Sequence, residues 1–236
     1  MDVTHQSGPA MAPELIIFDC DGVLIDSEII ACRVDAEELS ALGIPMSTKD
    51  VIRRFAGVSQ KDMRAMIERD AGRSLPPDYE ARVAQRIADL MPEELRPIPG
   101  IQATVQQLDV PFCIASSSTH EKLQFTLTLT GLYDLFTPNI FSSSEVTHGK
   151  PAPDLFLHAA TRMKAAPDRC IVIEDSTAGV KAAVAAGMHP IGFVGGAHCD
   201  AKQADRLQRM GAKLVIDQLD NLLQAIPGAL CLPLNE

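Results

Sequence analysis

The first apolar run of the chain, Leu15 to Phe18, is followed by two aspartates, Asp19 and Asp21, with Cys20 between them and Gly22 after them. A continuous apolar run of this length predicts a buried strand of a parallel sheet over Leu15 to Cys20. Because side chains alternate along a strand, Asp19 and Asp21 are expected on one side and Cys20 on the other. Two carboxylates that close cannot both stay ionised without a partner. The pair indicates a catalytic or metal site, and a solvated Asp-Gly turn is the alternative.

Three later groups of polar residues follow predicted strands, where ligands gather in open parallel sheets. Four hydroxyl residues, Ser116 to Thr119, precede a predicted helix. We predict Ser118 as the N-cap of this helix and Glu121 as its capping-box partner. The hydroxyls form either an anion cradle or only a helix cap. Lys150 lies among prolines, whose rigid backbone indicates a lysine held in place, and an exposed loop lysine is the alternative. Glu174 and Asp175 end another apolar run, where they serve a site or only cap the next helix.

The elements that must position these groups alternate between strand-like and helical patterns, which predicts an α/β fold. We predict a Rossmann-like doubly wound parallel sheet core with an inserted all-helical cap domain. The predicted strands are Leu15 to Cys20, Phe112 to Ser116, Asn139 to Ser142, Cys170 to Glu174, Pro190 to Val194 and Lys213 to Ile216. The predicted cap helices are Glu28 to Leu42, a helix capped by Ser59 that runs to Ala71, and Pro77 to Leu90.

The domain boundaries follow from these patterns. We predict a disordered tail over residues 1–13, a core over 14–26 and 97–236, and a helical cap over 27–96, placed to act as a lid. The net charge of −10, from 21 basic and 31 acidic residues, argues against nucleic acid and an anionic membrane surface as partners. No stretch resembles a membrane span or a signal peptide, so we expect a cytoplasmic protein. Six cysteines without metal-like spacing are expected to be reduced thiols: Cys20, Cys32, Cys113, Cys170, Cys199 and Cys231.

The four motifs, in their order and strand placement from Leu15 to about Ile216, resemble the haloacid dehalogenase superfamily. The helical insert is similar to the small cap of the subgroup that contains sugar-phosphate phosphatases and β-phosphoglucomutase. The resemblance implies a phosphatase in which Asp19 attacks phosphorus and becomes an aspartyl phosphate, while Asp21 is the general acid and later the base. It implies a phosphoryl contact for Ser116 and pairing of Lys150 with the nucleophile and the transferring group.

The resemblance also implies ligand sets. Mg²⁺ is expected at Asp19, Asp175, the backbone carbonyl of Asp21, and Glu174 directly or through water. The phosphate cradle is expected from Gly22, Ser117 and Ser118. The cap loop expected to face the substrate contains Phe55, Gly57, Val58 and Ser59. The implied partner is a small phosphorylated metabolite, a sugar or sugar-acid phosphate with 6-phosphogluconate among the candidates, and the protein is expected to be a monomer or weak dimer.

Several alternatives stay open at this point. A mutase of the β-phosphoglucomutase type carries three basic residues where this chain has Ala31, Gln60 and Thr119, which favours hydrolysis. A phospho-accepting signalling domain and a catalytically silent binding module are further alternatives. Five further residues stay candidates for the site although other roles are favoured: a solvated helix face for Arg33, Arg53 and Arg54, and a surface or satisfied core position for His189 and His198.

Overall fold

The structure, a computed structural model, describes residues 12–55, 58 and 60–226. Six parallel strands form one sheet in the order β3-β2-β1-β4-β5-β6. The strands are β1 (Leu15–Phe18), β2 (Phe112–Ser116), β3 (Ile140–Ser142), β4 (Cys170–Glu174), β5 (His189–Phe193) and β6 (Leu214–Ile216). This order is that of a doubly wound fold, with a reversal of winding between β1 and β4. The predicted fold class is confirmed.

Alternating side chains of the central strands build two separate apolar layers. Ile16 and Phe18 belong to one buried cluster, and Leu15 and Ile17 belong to another on the opposite face of the sheet. Both faces are therefore covered, which is why these strands are apolar throughout. The covering and flanking helices are α5 (Ile101–Gln106), α6 (His120–Leu129), α7 (Tyr133–Phe136), α8 (Asp154–Met163), α9 (Thr177–Ala185), α10 (Gln203–Met210) and α11 (Asp220–Ala225).

Four helices lie between β1 and β2 in the chain: α1 (Glu28–Ala41), α2 (Thr48–Phe55), α3 (Gln60–Ala71) and α4 (Tyr79–Glu94). The short helix α2 is missing from the sequence prediction. Its buried residues Val51, Ile52 and Phe55 follow a helical spacing that spans only two turns. Helix α4 continues beyond the predicted end at Leu90 and includes Pro92. The predicted cap Ser59 and the loop residue Gly57 lie outside the described residues, as do most of the predicted tail and Cys231.

The chain leaves the sheet for these helices and returns to it through two adjacent segments. Ile25 and Pro97 form an isolated antiparallel bridge. The Asp26 amide donates to the Arg96 carbonyl at 3.0 Å, and the Ile98 amide donates to the Leu24 carbonyl at 2.8 Å. We call residues 24–26 and 96–98 the neck. The four helices are thus attached to the sheet beside the carboxyl end of β1.

Candidate active site

The site lies at the carboxyl ends of β1 and β4, which are neighbours because the winding reverses between them. Phe18 and Ile173 are paired in register, so the residues after each strand emerge side by side. Asp19 follows β1, and Glu174 and Asp175 stand at the end of β4. The fold therefore brings together carboxylates that are more than 150 positions apart in the sequence.

Lys150 is the central cation of this edge. Its Nζ donates to Asp19 Oδ1 at 2.7 Å, to Glu174 Oε1 at 2.6 Å and to the Ala115 carbonyl at 3.0 Å. Burial opposes the charge of Lys150, but the two carboxylates outweigh it and raise its pKa above the ordinary value. Burial also raises the pKa of Asp19, against the pull of Lys150. Lys150 thus holds a carboxylate that is costly to ionise on its own.

Asp21 has a separate set of partners. Ser27 Oγ donates to its Oδ1 at 2.6 Å and Ser118 Oγ donates to its Oδ2 at 2.7 Å. Lys122 Nζ lies 3.1 Å from Oδ1 and 3.3 Å from Oδ2. Burial alone would raise the pKa of Asp21, but the Lys122 ammonium and the two hydroxyls outweigh it and hold the pKa below its usual value. The two aspartates, though separated by a single residue, are balanced by different lysines.

The hydroxyl cluster after β2 is arranged differently from the prediction. The N-cap of α6 is Thr119, whose side chain accepts from the Lys122 amide at 3.3 Å, so the prediction of Ser118 as the cap is wrong. Ser118 is instead occupied by Asp21, since its hydroxyl donates to that carboxylate. Ser116 is buried, and its Oγ accepts from the Ser118 amide at 3.1 Å. Because α6 begins one residue later than predicted, Lys122 lies in its first turn, and from there it contacts Asp21.

Asp175 is held by a histidine that the sequence favoured as a surface or core residue. His198 Nε2 lies 2.8 Å from Asp175 Oδ2, and the His198 side chain is only 7% exposed. Burial lowers the pKa of His198, but hydrogen bonding to Asp175 outweighs it and raises that pKa to about 11. The surface interpretation of His198 is therefore wrong. His189 lies at the opposite end of β5, where its Nε2 is 2.8 Å from the Asp168 carbonyl.

Two glycines leave room for these carboxylates. Gly22 has φ +84°, and a Cβ there would lie 2.1 Å from Asp175 Oδ2. A Cβ at Gly179 would lie 1.8 Å from Glu174 Oε1. Larger residues at these positions would push the carboxylates out of the site.

The donor set fits a small, hard cation. Asp19, Glu174 and Asp175 each offer a carboxylate oxygen, and these oxygens lie within 4.8 Å of one another. All-oxygen donors are those that Mg²⁺ prefers. Glu174 also accepts from the Ser176 amide and hydroxyl at 3.0 and 2.9 Å, so its two oxygens already have protein partners. The side chains of Asp19 and Asp175 have fewer protein hydrogen-bond partners than the Glu174 side chain has.

A cavity of about 540 Å³ lies beside these residues and extends to α1 to α4, the helices between the two neck segments. We call the part at the sheet, where the sequence predicts phosphate binding, the phosphate end, and the part at α1 to α4 the cap end. The predicted loop residues Phe55 and Val58 line the cavity, while Arg33, Arg53 and Arg54 do not. Each of those arginines is paired with a carboxylate: Arg33 with Glu94, Arg53 with Asp50 and Arg54 with Asp70.

Sequence analysis kept His198 only as a candidate with another role favoured, and it missed Lys122, Glu28 and Asp35 at the cavity. Lys122 and His198 supply cations from a helix and a loop, and Glu28 with Asp35 supplies carboxyl groups at the cap end. The Gly195-Gly196 pair before His198 is the signal that was available, because a Cβ at Gly196 would lie 2.7 Å from the His198 ring. No comparable local signal marks Lys122.

The chain is similar in sequence to known hydrolases. A family model described as haloacid dehalogenase-like hydrolase matches residues 13–187. The 6-phosphogluconate phosphatase of Escherichia coli (strain K12) is 30% identical over 186 residues, which are 78% of this chain and 84% of that protein. These findings confirm the predicted phosphatase class.

Two solved structures share the fold over nearly the whole chain. One is a haloacid dehalogenase-like protein of unknown function from Agrobacterium tumefaciens strain C58, with a TM-score of 0.87 and 38% identity, covering 90% of this chain and 96% of that one. The other is a hydrolase from Deinococcus radiodurans R1 with bound phosphate and sodium, with a TM-score of 0.79 and 33% identity, covering 91% and 96%. The chain belongs to the haloacid dehalogenase-like hydrolase family.

Proposed function

We propose that the chain is a Mg²⁺-dependent phosphomonoester hydrolase that acts on a small phosphorylated sugar or sugar acid through an aspartyl phosphate on Asp19. The observation that carries the proposal is the Lys150 bridge: one buried ammonium contacts both the carboxylate after β1 and the acid at the end of β4. The name of the E. coli relative supports a carbohydrate-derived substrate.

In the first step an Asp19 oxygen attacks phosphorus while Lys150 and the Ser116 hydroxyl stabilise the charge on the phosphoryl oxygens. The Ser117 backbone N–H adds to this cradle, whereas the amides of the other two expected members are engaged within the protein: Gly22 donates to the Ile25 carbonyl and Ser118 donates to Ser116 Oγ. Asp21 donates a proton to the oxygen of the leaving alcohol. In the second step Asp21 takes a proton from the water that attacks the aspartyl phosphate, so the same side chain acts first as acid and then as base.

The roles require Asp19 ionised and Asp21 protonated at the first step. A Mg²⁺ ion held by Asp19, Asp175, the Asp21 backbone carbonyl, and Glu174 directly or through water would supply positive charge that favours ionised Asp19 and offsets the phosphoryl charge. The substrate phosphate competes with Asp21 for the Lys122 ammonium. Losing part of that interaction raises the pKa of Asp21 and favours its protonated form.

We propose the same domain division as the sequence suggested, with a core over 14–26 and 97–236 and a cap over 27–96. Hydrolysis is favoured over a mutase reaction because Ala31 and Gln60, which replace basic residues of the mutase pattern, both line the cavity. A mutase must retain a bisphosphate, and these two side chains carry no charge for that purpose. None of the described helices combines the length and apolar character needed to cross a bilayer.

The test is phosphate release from a panel of sugar, polyol, sugar-acid and nucleotide monophosphates, with Mg²⁺ or with EDTA. We expect metal-dependent release, and Asp19→Asn should lower it by at least about 10⁴-fold, because the amide is not a nucleophile. Asp109→Asn, an exposed position, is the matched control. Near-normal turnover by a folded Asp19→Asn variant would disprove the mechanism.

A further inference from the structure

The cap end of the cavity has a distinct lining on α1. Glu28, Ala31, Cys32 and Asp35 all line the cavity, and their spacing of three, one and three residues places them on one helix face. Two of the four are acids. Asp35 Oδ1 accepts from the Tyr79 hydroxyl at 2.8 Å, which fixes the carboxylate in position. An acidic helix face therefore looks toward the space where the alcohol part of a phosphomonoester would lie.

Positive charge in the cavity is confined to the phosphate end. All 21 lysines and arginines lie within the part of the chain that the structure describes. Of these, Lys122 alone lines the cavity, and its ammonium contacts Asp21. His198 also lines it, but its Nε2 is engaged by Asp175 and its Nδ1 is buried. Both cations also act on Glu28, where they oppose the rise in its pKa, but their ion pairs are with Asp21 and Asp175.

The remaining contacts at the cap end suit carbon-bound hydrogens and hydroxyls. Val51, Phe55 and Met91 give an apolar wall, and Gln60 adds an amide that both donates and accepts. Carboxylate oxygens of Glu28 and Asp35 accept hydrogen bonds from hydroxyl groups. A substrate carboxylate beside Asp35 would face an acid that has no ion-pair partner among the described residues. Beside Glu28 it would face a second acid, and the cations near that acid, Lys122 and His198, are already paired with Asp21 and Asp175.

We propose that the cap end selects phosphomonoesters of uncharged, hydroxylated alcohols and rejects those whose alcohol carries a carboxylate. This selection narrows the substrate class of the proposed phosphatase and rests on that function. It makes polyol and neutral sugar phosphates the substrates, and it excludes sugar-acid phosphates from efficient turnover. The acidic face of α1 is the specificity determinant.

A matched substrate pair tests the selection. Glucitol 6-phosphate and 6-phosphogluconate have the same open six-carbon chain and differ only at C1, where a CH₂OH group replaces a carboxylate. The assay is run at pH 8 with Mg²⁺, because burial and the neighbouring Asp21 and Asp175 raise the pKa of Glu28 to about 7. We expect kcat/KM to favour the polyol phosphate by about tenfold or more. Equal values, or a preference for the sugar acid, would overturn the selection.

Variants locate the selection on α1. Asp35→Asn and Glu28→Gln each remove one charge without changing shape, and each should lower the polyol-to-acid ratio of kcat/KM by about threefold or more. Asparagine keeps an oxygen for the Tyr79 hydroxyl, and Glu28→Gln tests the same surface should Asp35→Asn unfold. The control is Glu37→Gln, on the same helix but paired with Arg86 outside the cavity, which should leave the ratio unchanged. Unchanged ratios in both folded variants would refute the role of α1.

Failure of the inference differs from failure of the proposed function. Phosphate release from both substrates at similar rates keeps the phosphatase and removes only the charge selection. Absence of release from this pair and from the whole panel removes both.

Discussion

The two ends of the cavity differ in how their charged groups are balanced. At the phosphate end each acid has a basic partner: Asp19 and Glu174 share Lys150, Asp21 has Lys122, and Asp175 has His198. At the cap end neither Glu28 nor Asp35 forms an ion pair with a described residue, and the cations nearest to Glu28, Lys122 and His198, are paired with other acids. The phosphate end is built by strand termini whose positions the sheet fixes, while the cap end is built by helices. Under the proposed function, the fold thus separates the groups proposed for phosphoryl transfer from the groups proposed to select the leaving alcohol.

The largest expected effect comes from breaking the phosphate end at Lys150. Lys150→Met leaves Asp19 and Glu174 buried together without their cation. We expect phosphate release to fall roughly 100- to 1,000-fold, because a charge that stabilises the phosphoryl group is lost. In EDTA the free energy of unfolding should fall by about 3–5 kcal/mol, since removing one partner of a buried pair leaves uncompensated charge. Urea unfolding and steady-state kinetics measure the two effects.

Lys181→Met is the control for Lys150→Met, because Lys181 is an exposed lysine on α9. It should change neither the activity nor the free energy of unfolding. A Lys150→Met protein as stable as the parent in EDTA would show that the bridge does not hold the phosphate end together.

A smaller effect is expected from His198, and it should depend on pH. The pKa of His198 in the folded protein is about 11, raised above its ordinary value of 6.5. The proton is therefore bound more tightly in the folded state, and the stability it contributes is fully present below pH 6.5 and is lost as the pH rises toward 11. In EDTA the parent should exceed His198→Leu in free energy of unfolding by about 2 kcal/mol at pH 6, and by less at pH 9.5.

His198→Gln separates charge from hydrogen bonding at this position. Glutamine can donate to Asp175 but does not titrate, so its stability relative to His198→Leu should be the same at both pH values. If the parent and His198→Leu differ equally at pH 6 and 9.5, the ion pair with Asp175 contributes no pH-dependent stability.

The smallest effect is expected on the outer surface of the cap helices. Arg33 and Glu94 form an ion pair with exposed side-chain fractions of 38% and 36%. Exposed pairs contribute little, so Arg33→Gln should change the free energy of unfolding by less than about 0.5 kcal/mol. Turnover of glucitol 6-phosphate and of 6-phosphogluconate should stay within about twofold of the parent. A selective loss on the sugar acid would show that Arg33 reaches a substrate carboxylate and would weaken the contrast between the two ends.

The sheet and the phosphate end were largely predictable from the sequence because their signals are local. Apolar runs of four to six residues mark the strands, and an acid or hydroxyl directly after a run lies at the same edge as every other strand end. Strands β2 and β4 have the predicted bounds. Strand β1 ends at Phe18, before the predicted Cys20, because the chain turns after Asp19.

The missed residues depend on how separate elements approach one another. Lys122 reaches Asp21 only because α6 begins after Thr119, one residue later than predicted, and a one-residue change turns a helix by about 100°. His198, which the sequence offered only as a candidate, reaches Asp175 across the loop between β5 and α10. The Gly195-Gly196 pair marks a close approach in that loop but does not specify the partner. Helix α2 is too short for its apolar spacing to be distinguished from a loop.

The neck has a consequence for how such proteins can diversify. Because residues 24–26 and 96–98 are hydrogen bonded to each other, the two ends of the intervening segment are adjacent whatever its length. An insertion, a deletion or a wholesale exchange between them therefore leaves the spacing of β1 and β2 intact. The neck is therefore a suitable junction for grafting the helices of a relative onto this sheet. Under the proposed function, such a graft would change the leaving-group preference while the sheet and its acids stay in place.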